Sequence, residues 1–474
     1  MTYNTGKSEV RTMAEFRKEY DILGEKEVPA EAYYGVQSMR AAENFKVTGT
    51  KVHPEMVKGI AEVKKAAAIT NKEAGVLDAK IADAIVKASD EIIEGKFLDQ
   101  FIVDSIQGGA GTSLNMNANE VIANRAIEIL GGTKGDYSVV HPNDHVNYGQ
   151  STNDAYPTSG RIALVRLLGK VEVQLDALCA AIMVRAEEYD DVITMGRTQM
   201  QDAVPISIGQ VFRAWVSAFK RDKERFAKAK QAMSELNLGG TAIGTGINAV
   251  PEYIKNIVPN LAKVTKLDLV QAADLVDATQ NLDSYVYVSG IIKSLAVTLS
   301  KISNDLRLMS SGPRTGFAEV ILAPKQNGSS IIPGKVNPVI PEVISQICYN
   351  VFGHDATVTC AAEAGQLELN AFEPILFRCM FESLDTLCNG IKIFIKDCIN
   401  DLTVDADRCK YNLDRCIGIV TALCPHIGYT NAARLAKKAL KENRNIREVV
   451  IEENIMPIEQ LDKVMDPKNM ITWE

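Results

Sequence analysis

The sequence predicts an all-α fold in which long helices pack into a central bundle. In the middle of the chain, apolar residues recur at three- and four-residue spacing, which is the period of an α-helix. Four such stretches are much longer than an average helix of about 11 to 12 residues; they span 161–187, 210–236, 285–309 and 341–369. Because helices with wide apolar faces bury those faces against each other, we expect a bundle whose apolar surface extends to further subunits.

Length and patterning predict three domains. A chain of 474 residues holds about three units of about 150 residues each. We predict an N-terminal helical domain with an irregular cap at 1–152, a central long-helix bundle at 153–407 and a small C-terminal helical domain at 408–474. Within the first domain, the punctuated stretch 20–45 is the predicted cap, and apolar periodicity predicts helices at 56–77 and 79–93.

Composition excludes several classes of function. The net charge is −8 and basic residues are interleaved with acidic ones, which is not the pattern of a nucleic-acid-binding surface. Nine cysteines without a CxxC pair predict reduced thiols in a cytoplasm. The polar first twenty residues have no signal-sequence core, and no apolar run approaches the about 18 residues of a membrane span. We therefore expect a soluble cytoplasmic protein with neither nucleic acid nor membrane as partner.

Hydroxyl, cationic and amide side chains are most concentrated in the segment 328–338, with the sequence Gly-Ser-Ser-Ile-Ile-Pro-Gly-Lys-Val-Asn-Pro. Gly328 and Gly334 permit backbone angles that other residues avoid, and the two prolines fix φ, so the segment is predicted to be a shaped loop. Its serines, Lys335 and Asn337 supply hydroxyl, cation and amide donors, which suit an anionic ligand. The spacing does not fit a phosphate-binding P-loop. An ordinary surface loop is the alternative.

Three further polar segments are candidate site elements. The glycine-rich segment 108–115 lacks the third glycine of a dinucleotide fingerprint, so it either enters a helix or presents Thr112 and backbone N–H groups to an anion. The segment 150–154, ahead of Pro157 and a periodic helix, is either a cap cluster or part of a site. The segment 196–205 is either a solvated connection between helices or part of the same site.

Two histidines, His141 and His145, are four residues apart, a spacing that places metal ligands on one face of a helix. Pro142 disfavours a regular helix there, and no third acidic ligand follows at a known spacing. We therefore predict no metal site, and the role of this segment stays open.

The order and the amino-acid sequences of these polar segments resemble those of the aspartase/fumarase superfamily, and the resemblance extends over residues 20–466. The segment 328–338 is similar to the superfamily signature, and 144–158 and 196–199 are most similar to the members that deaminate L-aspartate. The resemblance implies an all-α, fumarase C-like fold with three domains. It also implies a homotetramer around a core of about twenty helices, with each active site assembled from three subunits.

The resemblance implies a role for each matching residue. Ser329 matches the general base on the mobile signature loop, and Lys335 and Asn337 match the residues that bind the α-carboxylate of the substrate. The donors around the β-carboxylate correspond to Thr112, Ser151, Thr152 and Ser330. The contacts to the departing amino group correspond to Asn153 and Thr198. Gln199 is a departure, because fumarases and some aspartases carry histidine there; an amide forms hydrogen bonds but cannot shuttle a proton, which disfavours hydration.

The implied reaction is reversible deamination of L-aspartate to fumarate and ammonia, by anti elimination through an aci-carboxylate. Hydroxyl donors around the β-carboxylate would stabilise that dianion by about 2.7 to 4 kcal/mol each. A serine base requires a large decrease in the pKa of its hydroxyl, for which water exclusion by the closing loop, backbone N–H donors and Lys335 act together. We expect no cofactor, and activation by a divalent cation stays open. The alternatives are a fumarate hydratase and a non-catalytic helical scaffold on the same fold.

Overall fold

A computed structural model describes residues 15–472 of the chain, and most of them are helical. The α-helices, numbered along the chain, are α1 (Val36–Asn44), α2 (Pro54–Glu73), α3 (Ala79–Ile93), α4 (Thr112–Ile129), α5 (Thr152–Glu188), α6 (Ile208–Met233), α7 (Pro251–Thr265), α8 (Leu275–Gln280), α9 (Asp283–Met309), α10 (Val339–Glu363), α11 (Glu373–Phe394), α12 (Ala406–Arg415), α13 (Cys424–Ile427), α14 (Tyr429–Glu442), α15 (Ile446–Glu452) and α16 (Ile458–Val464). The predicted all-α class is confirmed.

The strands are short and form four two-stranded sheets within the described residues. They are β1 (Phe16–Asp21), β2 (Gly24–Pro29), β3 (Ile193–Thr198), β4 (Gln201–Ser207), β5 (Glu235–Leu236), β6 (Val270–Gln271), β7 (Val320–Ile321) and β8 (Thr403–Val404). The pairs are β1 with β2, β3 with β4, β5 with β6 and β7 with β8, and all are antiparallel except the parallel pair of β5 and β6. A π-helical turn at Pro142–Val146 lies in the connection between α4 and α5.

The chain divides into two compact units, each of which draws on separate parts of the sequence. The first unit contains the described residues up to Gly169, together with Ala227–Ile291 and Gly353–Leu384. The second contains Lys170–Phe226, Ile292–Phe352 and the described residues from Asp385 on. The unit boundaries fall inside the five longest helices, and the three predicted domains stay a prediction.

The core of the first unit includes a cluster formed by α2, α5 and α7. It contains Val63 and Ala67 of α2, Ile162 of α5, and Tyr253 and Leu261 of α7, all buried. In the second unit, the C-terminal helices α12 and α14 to α16 bury a cluster of their own, which Met195 of β3 joins. These cores hold in place the helix ends and the hairpin described below.

The prediction of an irregular cap at 20–45 is wrong, because this stretch contains β2, the end of β1 and α1. Strand β1 does not show the alternation of apolar and polar residues that predicts a strand, because its buried residue is Glu19, which is 2% exposed. The Glu19 carboxylate accepts hydrogen bonds from Arg17 at 2.8 Å, the Val36 backbone N–H at 2.9 Å and the Tyr137 hydroxyl at 3.0 Å. Polar bonding to Glu19 holds β1, while Val28 of β2 is buried against Ala32 and Val36.

Helix α5 begins at Thr152, before Pro157, although the sequence predicted a helix that follows this proline. Proline has no N–H to donate to the carbonyl of Asn153, four residues earlier. The side-chain amide of Asn237 donates to that carbonyl at 2.9 Å instead. The helix therefore continues through Pro157 with its backbone acceptor satisfied.

The last predicted long helix ends earlier than expected, at Glu363 instead of position 369. The Asn370 amide donates to the carbonyls of Ala361 and Ala362 at 2.8 and 3.1 Å, and Leu367 has a φ of +54°. A side chain that satisfies terminal carbonyls stops the helix there. Helices α2, α3, α6 and α9 lie where the periodicity placed them, with ends that differ by a few residues from the predicted bounds.

Helix α9 is the one helix in the described range 15–472 that is long and apolar enough to cross a membrane, judged by length and composition alone. Its mean hydropathy over an 18-residue window is 1.2, and 56% of that window is buried inside the protein. The expectation that no run approaches this limit is therefore wrong for α9. Core helices of soluble proteins meet the same criterion.

Candidate active site

The signature loop, residues 328–338, is held in a turn by its own backbone in the second unit. A Cβ atom on Gly328 would lie 2.0 Å from the carbonyl oxygen of Lys335, so only glycine fits this close approach. The Asn337 amide donates to the Gly328 carbonyl at 2.6 Å and closes the turn. The loop lines a pocket of about 570 Å³, and both Ser329 and Lys335 are among its lining residues.

The hydroxyl oxygen of Ser329 accepts two backbone hydrogen bonds. The donors are the N–H groups of Ile331 at 3.2 Å and of Ile332 at 2.9 Å. Serine turns of this kind are common in loops. Here the two donors also favour negative charge on the oxygen, because hydrogen bonds to a charged form stabilise it.

Thr198 and Gln199 lie at the exposed end of the hairpin formed by β3 and β4. Thr198 pairs with Gln201, so Gln199 and Met200 form a two-residue turn with φ values of +53° and +65°. Two positive φ angles are typical of a type I′ hairpin turn, but for residues other than glycine they cost of order 1 to 3 kcal/mol each. The segment is thus the strained tip of a hairpin; it connects α5 and α6 and is exposed, as the interpretation of a solvated connection expected, and its part in a site stays a prediction.

A buried ion pair anchors this hairpin to the strand that precedes the signature loop. Arg197 donates to the Glu319 carboxylate at 2.8 and 3.0 Å, and that carboxylate is 1% exposed. Thr194 and Asn412 donate to the same carboxylate at 2.9 and 2.8 Å. The Arg197 guanidinium also lies 4.1 Å from the ring centre of Phe317. Because Glu319 directly precedes β7, the base of the hairpin and the approach to the loop are fixed to each other.

In the first unit, the glycine-rich segment leads into α4 and packs against α5. Gly111 has a φ of +89°, and a Cβ atom there would lie 2.3 Å from the ring of Tyr156. The Thr112 hydroxyl donates to the Gly109 carbonyl at 2.7 Å. The segment therefore brings the beginnings of α4 and α5 together, but the hydroxyl proton of Thr112 already has an acceptor.

The beginning of α5 is closed by a reciprocal cap. The Ser151 hydroxyl oxygen accepts the Asn153 backbone N–H at 3.2 Å, and the Asp154 carboxylate accepts the Ser151 N–H at 2.9 Å. The pair resembles a capping box, except that the Ser151 hydroxyl accepts from the second helical residue and not the third, so the cap interpretation of the segment 150–154 holds for Ser151. Its bond to Asn153 uses a lone pair, which leaves the Ser151 hydroxyl proton able to donate.

The loop 238–246 lies against the same helix end. Asp154 is fully buried and accepts the backbone N–H groups of Gly239 at 3.2 Å and Thr241 at 3.0 Å. Burial raises the pKa of Asp154 to about 6. The Asn153 amide donates to the Ala242 carbonyl at 2.8 Å, which leaves its side-chain oxygen as an acceptor.

Sequence reasoning missed a buried polar network below Thr152. Lys64 on α2 is fully buried and donates to Asn115 at 2.7 Å, Asn147 at 2.8 Å and Gln150 at 3.0 Å. The Asn115 amide in turn donates to the Thr152 hydroxyl oxygen at 3.1 Å. One signal was available, because Lys64 follows Ile60 by four residues and precedes Ala67 by three, and so falls on the apolar face of α2.

The ten predicted site residues fall into two groups. The first unit holds Thr112, Ser151, Thr152 and Asn153, which meet at the beginnings of α4 and α5. The second unit holds Ser329, Ser330, Lys335 and Asn337 on the signature loop, and Thr198 and Gln199 on the hairpin tip. Their assigned roles stay predictions.

Neither histidine of the 141–145 segment presents its Nδ1 atom to a ligand. His141 Nδ1 accepts the N–H groups of Asn143 and Asp144 at 3.2 and 3.1 Å, and His145 Nδ1 accepts the His141 N–H at 2.9 Å. Burial lowers the pKa of His145. Between residues 15 and 472, no group of three or more histidine, cysteine, aspartate or glutamate side chains has a geometry that could hold a metal ion.

Lyases match this chain over nearly its whole length. The Lyase family profile matches residues 24–353, and the profile of the fumarase C C-terminus matches residues 419–472. An aspartate ammonia-lyase from a Bacillus species is 50% identical over 96% of this chain and 97% of its own length. An aspartate ammonia-lyase from Helicobacter pylori is 49% identical over 96% of this chain and 98% of its own length.

Solved structures are similar over nearly the whole fold. A fumarate lyase:delta crystallin from Brucella melitensis, bound to cobalt, superposes with a TM-score of 0.94 at 45% identity and covers 97% of this chain and 100% of its own. A class II fumarase from Schistosoma mansoni superposes with a TM-score of 0.93 at 34% identity and covers 96% of this chain and 99% of its own. The chain therefore belongs to the lyase family of the aspartase/fumarase superfamily and is a carbon-nitrogen lyase.

Proposed function

We propose that this enzyme converts L-aspartate reversibly to fumarate and ammonia, by anti elimination with Ser329 as the general base. The observation that carries the proposal is the Ser329 oxygen, which receives two backbone N–H groups at 3.2 and 2.9 Å and lines a pocket with Lys335. The similarity to proteins named aspartate ammonia-lyase, at 50% and 49% identity, supports the choice of substrate.

In the first step, the Ser329 alkoxide takes a proton from the carbon beside the β-carboxylate. The electron pair of the C–H bond moves into that carboxylate and forms the aci-carboxylate dianion. The electron pair then moves back from the carboxylate to form the C=C double bond. At the same time the C–N bond breaks, and the ammonium group leaves as neutral ammonia with the electrons of that bond. The proton on Ser329 finally passes to the released ammonia, directly or through water, so one aspartate yields one fumarate and one ammonium ion.

The hydroxyl groups of the first unit, with Ser330 from the signature loop, supply the donors for the dianion. Ser151 and Thr152 each accept one hydrogen bond from the fold, so their protons can donate to the substrate carboxylate. A donor aimed at developing charge contributes about 2.7 to 4 kcal/mol. Thr112 contributes after its hydroxyl turns away from the Gly109 carbonyl.

The α-carboxylate and the amino group are bound by the remaining predicted residues. Lys335 supplies a positive charge, and Asn337 has a second amide N–H beyond the one that it gives to Gly328. The side-chain oxygens of Asn153, Thr198 and Gln199 are acceptors for the ammonium N–H groups. Because an amide at position 199 cannot shuttle a proton, hydration of fumarate is disfavoured.

We also propose that the enzyme is a cytoplasmic homotetramer with no resident cofactor. Support for association comes from large apolar side chains that are exposed on long helices of the second unit, where Val173 is 63%, Val297 53% and Tyr349 55% exposed. Nine free thiols support a reducing compartment.

Subunit mixing tests the assembly. Ser329→Ala and Thr152→Val subunits, each of low activity alone, are unfolded together and refolded as mixed tetramers. If the groups at one substrate come from different subunits, some sites in the mixture contain neither substitution and activity returns. Activity no higher than that of the separate variants would contradict shared sites.

The substrate assignment is tested by mixing the purified protein with L-aspartate and, separately, with L-malate. The ultraviolet absorbance of the conjugated double bond of fumarate is followed in both. We expect absorbance to rise with aspartate and not with malate. A rise with malate alone would identify a hydratase, and no rise with either would reject the proposed substrate.

A further inference from the structure

The polar network next to Thr152 links four side chains to that hydroxyl; Lys64 and Asn115 are buried, and Asn147 and Gln150 are half-buried. Lys64 donates to the side-chain oxygens of Asn115, Asn147 and Gln150 at 2.7, 2.8 and 3.0 Å. Asn115 donates to the Thr152 oxygen at 3.1 Å and to the Asn147 oxygen at 3.1 Å. No step of the proposed reaction has yet used Lys64 or Asn115.

The chemistry of lysine fixes the direction of every bond in this chain. An ammonium group donates and cannot accept, so the oxygen of the Asn115 amide must face Lys64. The NH₂ end of the same amide then faces Thr152, and the Thr152 oxygen can only accept from it. The hydroxyl proton of Thr152 is left for an acceptor outside the network.

We propose that Lys64 is a positioning residue which, through Asn115, commits the Thr152 hydroxyl to donate to the substrate carboxylate. The proposal rests on the proposed function, in which Thr152 faces the β-carboxylate as negative charge develops there. A preset donor needs no reorientation when charge appears, and such preorganisation is the main source of electrostatic catalysis.

The charge state of Lys64 agrees with this role. Three acceptor oxygens match the three N–H groups of an ammonium, whereas a neutral amine has two. Burial lowers the pKa of Lys64 to about 7, and the negative charge of Asp154 opposes that decrease. Asp154 also caps α5 through Ser151, so the same helix end carries both the counter-charge and the directed hydroxyl.

A double-mutant cycle between Lys64→Met and Thr152→Val tests the proposal. Methionine keeps the length of the side chain but removes the donors, so the Asn115 amide is free to turn. We expect Lys64→Met to lower kcat by about tenfold or more with little change in KM, because donors aimed at the transition state act on kcat. In the Thr152→Val background, the same substitution should lower kcat by less than about twofold, since the hydroxyl that it directs is gone.

The matched control is Asn260→Leu, which removes another buried amide of the first unit, one that donates to Thr70 and Glu73 at 3.0 and 2.8 Å. Its effect on kcat should be small and additive with Thr152→Val. Thr152→Ser keeps a hydroxyl and should keep the full sensitivity to Lys64→Met. Additive effects of Lys64→Met and Thr152→Val would overturn the proposal.

Two further measurements keep the test decisive. If Lys64→Met does not fold, as judged by circular dichroism and assembly size, Asn115→Leu takes its place in the cycle with the same expectation. The cycle is also measured as calorimetric affinity for the nitronate of 3-nitropropionate, which is isoelectronic with an aci-carboxylate. If wild type does not deaminate aspartate, the substrate proposal fails alone. Additive affinities, or no nitronate binding by wild type, would overturn the role of Lys64.

Discussion

Replacing Ser329 with alanine removes the proposed base and little else. The side-chain oxygen accepts the N–H groups of Ile331 and Ile332, both exposed, so water can satisfy these donors after the substitution. The tether from Asn337 to Gly328 is unchanged. A positioned general base contributes about 10²- to 10⁴-fold, or about 2.7 to 5.5 kcal/mol of barrier. We therefore expect kcat to fall by at least about 100-fold while KM for aspartate changes little.

The assay follows fumarate formation at saturating L-aspartate for wild type, Ser329→Ala and a control. Ser310→Ala is a suitable control, because it removes a hydroxyl that donates only weakly to the Arg307 carbonyl, at 3.4 Å, in the same unit. The control should retain wild-type kcat. A Ser329→Ala enzyme within about tenfold of wild type would refute the assignment of the base, since loss of a general base costs more than that.

Three further predictions concern the loop, its anchor and the buried carboxyl at the start of α11. Lys335→Met should raise KM for aspartate by about 10- to 100-fold, as a hydrogen bond to a charged group is worth about 1.5 to 3 kcal/mol, and an unchanged KM would remove Lys335 from the α-carboxylate. Arg197→Met leaves the Glu319 carboxylate buried without its cation, so chemical denaturation should show a loss of about 3 to 5 kcal/mol; a loss below about 1 kcal/mol would contradict the anchor. Burial raises the pKa of Glu373 from 4.5 to about 8, so the folded state keeps a proton that the unfolded state releases in this window. This contribution to stability is present below pH 4.5 and is lost as the pH rises to about 8. In thermal melts, the melting temperature of wild type should therefore fall relative to that of Glu373→Gln across this range. Parallel pH profiles of the two proteins would contradict the prediction.

Apolar periodicity predicted the long helices because each buries a wide apolar face along its length, as α9 does with Leu295, Leu299 and Ile302. The same method missed the two hairpins. Their structure depends on buried charge: Glu19 closes the first, and Glu319 holds the base of the second. A glutamate looks the same in sequence whether it is solvated or buried among donors, so periodicity cannot find such elements.

The candidate site was predictable where several polar side chains follow one another on a loop or at a helix end, as around Ser329 and Ser151. The supporting interactions were not. The donors to Ser329 are backbone N–H groups, which any residue other than proline supplies at 331 or 332. Lys64 stands out only as a lysine on the apolar face of α2, and its three amide acceptors are at least 51 positions away in sequence. Only the fold shows which amides this lysine contacts and that they lead to Thr152.

The central claim is that Ser329 removes one specific proton from the carbon beside the β-carboxylate, on the side opposite the amino group. The most direct measurement runs the reverse reaction, fumarate with ammonia, in D₂O and analyses the aspartate product by proton NMR. The account predicts one deuterium per product molecule, in the single diastereomer of anti addition, and formation of this labelled product at least about 100-fold more slowly in Ser329→Ala. A mixture of diastereomers, or formation of the labelled product by Ser329→Ala at close to the wild-type rate, would contradict it.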